Sequence, residues 1–470
     1  MKIITLIIFL SLSLLASESV KDSIVKIYTV SKVPDYLTPW NTSIRRSHGS
    51  GSIISGNRIL TNAHVVANET FVEVKKYGDT RRYEAKVEFI SHQSDLAVLK
   101  VADEEFFKGS SALELGSLPK LQEAVTVYGF PMGGNSLSVS KGIVSRIEHN
   151  TYAHSRERFL AIQIDAAVNP GNSGGPAINN GKIVGVVMQH VSKSQSIGYL
   201  VPSEIIRHFL VDIKDGHYDG FGHLGIGTQY LENEALRSLY GMASDETGLL
   251  VVDISHKSSV YGVLKEGDIL LSIDGHAINN DGTVEFLPHQ YTSLMYFIDQ
   301  KQLGESVRFE IFRDTKRMTL DVEIDNIADD DLLVNTLEHD VMPRYFIYGG
   351  YVFTPVSRNL LLKRASLSLK VASSKWATDE EDEVVVLLKV LADKTNRGNH
   401  NISLWKVDSV NGKSFKDYKE FKKMVLAADG KFVVLKNRDA VQVVIDTKKA
   451  KEANPRILKR YSIVKASSEK

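Results

Sequence analysis

The stretch NPGNSGGP runs from Asn169 to Pro176. Its residues are small, polar or turn-forming, which is the composition of a tight turn. Its one reactive group is the hydroxyl of Ser173. Most serines beside glycine do no chemistry, so the reading depends on whether the chain holds partners for that hydroxyl. A serine hydroxyl is a poor nucleophile until a base takes its proton. The usual base is histidine, and that histidine needs a carboxylate to hold its tautomer.

Both partners lie upstream. TNAHVV, from Thr61 to Val66, places His64 just after the strand-like RILT. SDLAVLK, from Ser94 to Lys100, places Asp95 just before an apolar strand. The chain order is His64, Asp95, Ser173. That is the order of the chymotrypsin-like double barrel; subtilisins and α/β-hydrolases use other orders. His48, His92 and His190 do not follow a strand-closing threonine by three residues. His154 follows Thr151 at that spacing, but in a polar, charged segment that reads as a loop. Asp165, eight residues before Ser173, competes with Asp95. A satisfied core histidine is the alternative reading of His64.

The surrounding pattern is rich in strands. Between residues 22 and 202, stretches such as SIVKIYTV, RRYEAKVEFI, LAVLKV, AVTVYGF, FLAIQID and KIVGVVMQ carry β-branched residues between turn signals. Many short strands so punctuated predict a closed barrel or sandwich. SEIIRHFLVDI, with apolar residues at helical spacing, is expected to end this unit as a helix. Residues 222–326 mix strands with one or two helices, as a small α+β module does. A polar linker is expected over 327–339 and a third, α+β unit over 340–450. SIDGHAI and SVNGKSF occupy similar places in the second and third units, which reads as a diverged duplication. TDEEDE at 378–383 reads as a solvated loop, and 451–470 as a tail ending in a disordered KASSEK.

TNAHVV, DLAVLKV and GNSGGP together resemble the HtrA/Deg family of secreted serine proteases. DAAVNPGNSGGP and IGYLVP match that family's pattern around the nucleophile, and YLTPW and FIYGGYVFTPV are similar to its plant-type members. The resemblance covers most of the chain. It implies a mainly β protein: a chymotrypsin-like double β-barrel protease domain over 20–215, then two small α+β PDZ-like domains. It implies a catalytic triad of His64, Asp95 and Ser173. The backbone N–H groups of Gly171 and Ser173 would form the oxyanion hole, and Asp165 would be a structural residue of the pocket wall. A side chain at Gly171 or Gly174 would hinder backbone approach to substrate.

Further expectations follow from the same resemblance. Trypsin has its specificity aspartate six residues before the nucleophile; Ala167 stands there, so a small or aliphatic residue is expected before the cut. Digestive enzymes have an aspartate where Asn172 stands, so activation by a freed N-terminus is not expected. Val187, Met188 and Gln189 would pair with substrate backbone, an ordinary barrel strand being the alternative. Glu148 to Arg158 would be a sensing loop, or else an ordinary polar hairpin. HLGIG, with Leu224, Gly225 and Ile226, resembles a PDZ carboxylate-binding loop, and KEGDILLSIDG is the more specific PDZ signature. Tyr348 to Tyr351 occupies the matching place in the third unit, where peptide binding is doubtful and an assembly role competes. A homotrimer or larger oligomer is implied, with Tyr36 and Trp40 at its contact; core packing is their alternative. The implied function is an ATP-independent endopeptidase degrading misfolded exported proteins. A chaperone or peptide-binding protein with minor proteolysis is the alternative, and an esterase a further one.

Composition bounds these readings. The chain has 470 residues, 43% hydrophobic and 24% charged, enough for several cores. Its 57 basic and 57 acidic residues cancel, so no global field draws it to nucleic acid. Residues 413–470 are basic, with 16 Lys/Arg against 7 Asp/Glu; a solvated face and an anionic partner are both compatible. There is no cysteine, which excludes thiol nucleophiles, disulfides and Cys-type zinc sites. No metal or cofactor is expected. Gly412, Lys413 and Ser414 lack the earlier glycine of an ATP-binding loop, Val407 standing there. Residues 1–19, MKIITLIIFLSLSLLASES, read as a secretory signal peptide, an uncleaved anchor being the alternative. No stable membrane span is expected after cleavage. A short signal on a cysteine-free chain points to a bacterial periplasm.

Overall fold

The computed structural model describes residues 20–131, 134, 136–190, 197–364 and 366–468. The leader assigned to 1–19 lies outside them. Among the described residues no helix is long and apolar enough to cross a membrane. The chain up to Ser31, with Arg45–Ile254 and Ser258–Ile327, forms one unit. Lys32–Ile44, Ser255–Lys257 and Ala328–Lys470 form a second.

The first unit holds two closed barrels. Strands β1 (Ile24–Pro34), β2 (Thr42–Ile54), β3 (Arg58–Thr61), β4 (Glu69–Lys76), β5 (Tyr83–Ser91) and β6 (Leu96–Val101) close in the order β1-β2-β3-β6-β5-β4. Strands β7 (Ala124–Gly129), β8 (Ser138–Thr151), β9 (Arg158–Ile164), β10 (Pro176–Asn179), β11 (Lys182–His190) and β12 (Gly198–Pro202) close as β10-β11-β12-β9-β8-β7. The β-branched stretches read from the sequence are these strands. The exception is β10, which starts on a proline and lacks a strand signature.

Side-chain alternation explains the closure. Inward residues of the first barrel, among them Ile27, Ile59, Val72, Val74 and Leu99, share one core. Val125, Val127, Leu160, Ile162, Val184 and Leu200 fill the second. The opposite faces of β3, β6 and β7 do not meet water. Leu60, Leu96, Val98 and Tyr128 pack with Phe159, Val186 and Phe209 in a third core. This is why LAVLKV reads as a continuous apolar run: both of its faces are buried. Phe209 belongs to helix Ser203–Asp212, which forms where its apolar spacing predicts.

The same unit continues into an α+β module. A sheet is built from Ile226–Tyr230, Leu249–Ile254, Ile269–Ile273, Glu305–Arg313 and Lys316–Ile324. A hairpin, Thr283–Leu287 with Gln290–Ser293, was not foreseen. Asp268 is buried and held by a two-pronged pair with Arg313 at 2.6 Å, the expected way to keep a carboxylate in a core.

The second unit carries a four-stranded sheet, Phe346–Tyr348, Tyr351–Pro355, Val385–Val390 and Trp405–Val407. Beside it lies a three-stranded one, Ser409–Val410, Phe432–Lys436 and Gln442–Asp446. The paired motifs SIDG and SVNG adopt the same turn. Asp274 and Gly275 have φ of 46° and 84°, and Asn411 and Gly412 have 49° and 82°. Two successive positive φ values favour Asx-Gly.

Two expectations fail in this unit. The segment 451–470 is not a tail. Helix Thr447–Arg460 starts at an Asp446 cap and buries Ala450, Ala453 and Ile457. Burying Ile457 contributes roughly 2 kcal/mol. KASSEK is ordered up to residue 468: Ile347 N–H donates to Ala466 O, and Ser468 N–H to Tyr345 O. The span 327–339 is not a free linker, since Leu333 and Val334 lie in the unit's core. Tyr36 and Trp40 pack in that same core, Trp40 edge-on to Tyr345 with centroids 5.8 Å apart. Core packing, the alternative reading, accounts for Tyr36, while Trp40 is only partly buried against that core.

The place of a third-unit binding loop is also occupied. Gly349 and Gly350 make a tight turn at φ 59° and 87°. Gly349 N–H donates to Asn454 Oδ1, and its carbonyl accepts from Asn396 Nδ2. A Cβ on Gly350 would lie 2.5 Å from Asn396 Nδ2.

Candidate active site

His64 sits in a single helical turn, Ala63–Val66, that follows β3 directly. Asp95 immediately precedes β6, the neighbour of β3 in the barrel. The loop before β6 turns through Asp95 itself, at φ 55°, a region Asp tolerates better than most residues. Asn62 Nδ2 donates to the Asp95 carbonyl at 2.8 Å and holds that turn.

The carboxylate then meets His64 twice. His64 Nδ1 lies 2.8 Å from Oδ2 and 3.0 Å from Oδ1, and His64 N–H donates to Oδ1 at 2.9 Å. Asp95 is fully buried, whereas the His64 side chain is 33% exposed. Burial works against a charged His64. The charge and hydrogen bond of Asp95 outweigh it, holding the imidazole above its ordinary 6.5. Burial likewise pushes Asp95 up, but the His64 contacts bring it below the usual carboxylate range. With Nδ1 given to Asp95, Nε2 is left to take a proton from a neighbour.

Ser173 lies in the loop between β9 and β10. Its carbonyl accepts from Ser50 N–H at 2.8 Å. A Cβ built on Gly49 would fall 2.7 Å from Val65 and 3.1 Å from Ser173 O, so a single small residue separates the Ser173 loop from the turn carrying His64. Among the described residues no hydrogen bond joins Ser173 Oγ to His64. Such bonds often tighten only with substrate present. Among those residues, the N–H groups of Gly171, at φ 100°, and Ser173 donate to no protein acceptor.

Ser50 was missed by sequence reading. Its Oγ donates to Gly171 O and accepts from Phe130 N–H, both at 2.8 Å. Its carbonyl accepts from Thr61 Oγ1 at 2.7 Å. One buried hydroxyl thus ties the serine loop to both barrels. RSHGSGSII showed only a small residue in a strand. Gly174 has a different reason from the one expected. Its φ is 83°, and a Cβ would lie 2.2 Å from Ser50 O and Thr61 Oγ1, so the barrels themselves require the glycine.

The other named residues fall as follows. Asp165 Oδ1 accepts from Ile143 N–H at 2.7 Å, a strand-end role away from His64. Asn172 is 1% exposed, and its Oδ1 meets no donor among the described residues. A carboxylate there would be buried without a cation. Ala167 is exposed. Val187 does not offer its backbone to a substrate: its N–H donates to Gly175 O and its carbonyl accepts from Gly174 N–H. Met188 is the residue skipped where the β11–β12 register shifts, and its side chain is buried. The side chain of Gln189 lies outside the described residues.

Two further histidines stand on the β8–β9 hairpin. His154, in the turn joining β8 and β9, has its ring 6.2 Å from that of His64. Its Nε2 lies 2.9 Å from His92 Nδ1. His149, on the same hairpin, is buried and reaches the α+β module. Its Nδ1 meets Thr292 Oγ1 at 2.8 Å and its Nε2 meets Asp299 Oδ2 at 3.0 Å. These partners stand 143 and 150 residues away, so no local pattern announces them.

Leu224, Gly225 and Ile226 line a groove of about 320 Å³ in that module. Thr228, Tyr230, Leu294, Met295 and Arg158 of β9 line it as well.

Comparison with known proteins agrees with this architecture. The trypsin-like peptidase domain family matches residues 49–186, and a PDZ domain family matches residues 334–470. The chain is 38% identical to Protease Do-like 4, mitochondrial, of Arabidopsis thaliana, over 95% of its length and 85% of that protein's. It is 36% identical to Protease Do-like 2, chloroplastic, of the same plant, over 94% of this chain and 74% of that one. The solved HtrA-type protease AlgW with tripeptide superposes with a TM-score of 0.52 at 25% identity, over 66% of this chain and 95% of that one. The plant relatives are organellar by name, which does not support a bacterial periplasm in particular. The barrels, the two α+β regions and these relatives together make this chain a trypsin-like serine peptidase with PDZ domains, a member of the HtrA/Deg family close to the plant Do-like proteases.

Proposed function

We propose that the protein is an ATP-independent endopeptidase that degrades unfolded or misfolded proteins, with Ser173 as nucleophile. The observation that carries the reading is the buried His64–Asp95 pair beside the Ser173 loop. His64 Nε2 takes the Ser173 proton as Oγ attacks the scissile carbonyl. Asp95 stabilises the imidazolium that forms, and His64 returns the proton to the leaving amine. The N–H groups of Gly171 and Ser173 hold the oxyanion, each worth on the order of 3 kcal/mol in the transition state. Water then repeats the sequence on the acyl-enzyme.

Ala167 leaves the pocket without a carboxylate, so a buried Lys or Arg side chain would go unpaired. Small and aliphatic residues are therefore the favoured side chains before the cut. Substrate backbone pairs with Met188 and Gln189. Asn172 supports activity without a freed N-terminus. Peptide segments dock along Leu224, Gly225 and Ile226, adding a strand to Ile226–Tyr230. Arg158 lines that groove at one end of the hairpin that carries His149 and His154, which supports the hairpin as the sensing element.

The leader at 1–19 supports export across a membrane, into an organelle or a periplasm. Assembly into a homotrimer or larger oligomer rests on the family resemblance. The test of the whole reading is mass spectrometry of the peptides released from an unfolded protein such as casein. The reading expects cuts after Val, Ala or similar residues. An absence of peptides, with ester hydrolysis intact, would overturn it.

A further inference from the structure

The groove at Leu224–Ile226 holds its own plug. Gly225 stands at φ 60°, and its N–H donates to Nδ1 of His223, two residues back, at 3.0 Å. His223 is fixed from the other side, its N–H donating to Asn326 O at 2.9 Å. The imidazole thus occupies the middle of the three successive N–H groups, Leu224, Gly225 and Ile226, that a peptide carboxylate would use. A nitrogen that accepts from Gly225 carries no proton. An imidazolium has two donors and no acceptor, so protonation must break this bond.

We propose that His223 is a proton-operated latch on the peptide groove. The neutral imidazole competes with a peptide's C-terminal carboxylate for the Gly225 N–H. The imidazolium releases that N–H and places a positive charge beside the carboxylate. Peptide binding therefore takes up a proton, and affinity rises as pH falls through the histidine range. This rests on the reading of the groove as a peptide site, and adds a regulator to it.

Charged groups of both signs stand near the latch. Arg158 and Asp281 line the same groove. Asp253 lies on the paired strand, opposite Gly227.

The test uses full-length Ser173→Ala protein and a fluorescein-labelled Gly/Ser decapeptide ending in three valines, read by anisotropy. The dissociation constant is expected to fall about tenfold from pH 8 to pH 5.5. A C-terminally amidated twin should show no such fall. His223→Ala frees the N–H at every pH, so it should bind more tightly than its parent at pH 8 and lose the pH response. His223→Asn keeps an acceptor for the i+2 N–H in an Asx turn, so it should bind weakly at every pH. A pH response that persists in both variants, or none in the parent, overturns the latch alone. No binding of the carboxylate peptide at any pH overturns the groove reading beneath it.

Discussion

His149, on the second barrel's β8–β9 hairpin, and Asp299, in the adjoining α+β module, meet in the interior. Nε2 and Oδ2 are 3.0 Å apart, with side chains 2% and 4% exposed. Burial pushes the Asp299 carboxyl up, and the bond and charge of His149 resist that rise. His149→Ala leaves the buried Asp299 carboxyl without its side-chain partner. Leaving a buried polar group unsatisfied costs about 1–3 kcal/mol, more where it is charged. Asp299→Asn keeps a hydrogen-bonding group and should cost less. Urea unfolding of both variants checks the order; an equal loss contradicts it.

The proposed triad has a pH signature. His64 must be neutral to act as base, and Asp95 raises it above 6.5. The acidic limb of kcat/KM should therefore have its midpoint above 6.5. Asp95→Asn should remove that elevation and lower kcat on the order of 10³–10⁴. For stability the sign is opposite. A raised His64 contributes below the ordinary value, and the contribution is lost as pH rises through the raised one. A pH–rate profile of both proteins tests the point.

Ser50 anchors the loop of Ser173, the proposed nucleophile. Ser50→Ala leaves the Phe130 N–H without its acceptor and releases Gly171 O. Stability should fall by about 1–3 kcal/mol. The kinetic effect should fall on kcat, about tenfold, with KM nearly unchanged, because the Gly171–Ser173 backbone loses its anchor. Ser50→Thr, which keeps the hydroxyl, should recover part of kcat. A change in KM alone would remove the positioning role.

The pocket can be probed with matched peptides. Substrates with Val or Ala before the cut should exceed their Arg counterpart in kcat/KM by at least about tenfold, since a buried unpaired cation costs several kcal/mol. Ala167→Asp should narrow that gap. Faster cleavage of the Arg peptide by the parent would refute the assignment of Ala167.

The residues proposed for the chemistry could be picked out because each stands in a local pattern. TNAHVV follows a strand, SDLAVLK precedes one, and GNSGGP forms a turn. The barrels were legible because β-branched runs alternate with turn signals. What escaped was long-range. Ser50 reads as one small residue in GSGSII until Gly171 and Phe130 are brought to it. His149 finds Asp299 only through the fold. The part of helix Thr447–Arg460 beyond residue 450 was read as tail; the helix buries Thr447, two alanines and Ile457, too little to register as apolar periodicity. Tyr36 and Trp40 carried two readings, subunit contact and core packing, and their core neighbours come from residues hundreds of positions away. Gly174 was read as clearance for substrate, whereas Ser50 and Thr61 leave no room for a Cβ.

The central claim is that Ser173 is a nucleophile activated by His64. Labelling of the assembled wild-type protein with a fluorophosphonate probe tests it most directly. The account predicts one labelled serine, Ser173, with labelling lost in Ser173→Ala and strongly reduced in His64→Ala. Unlabelled wild-type protein that still cleaves casein, or labelling that survives Ser173→Ala, would contradict it.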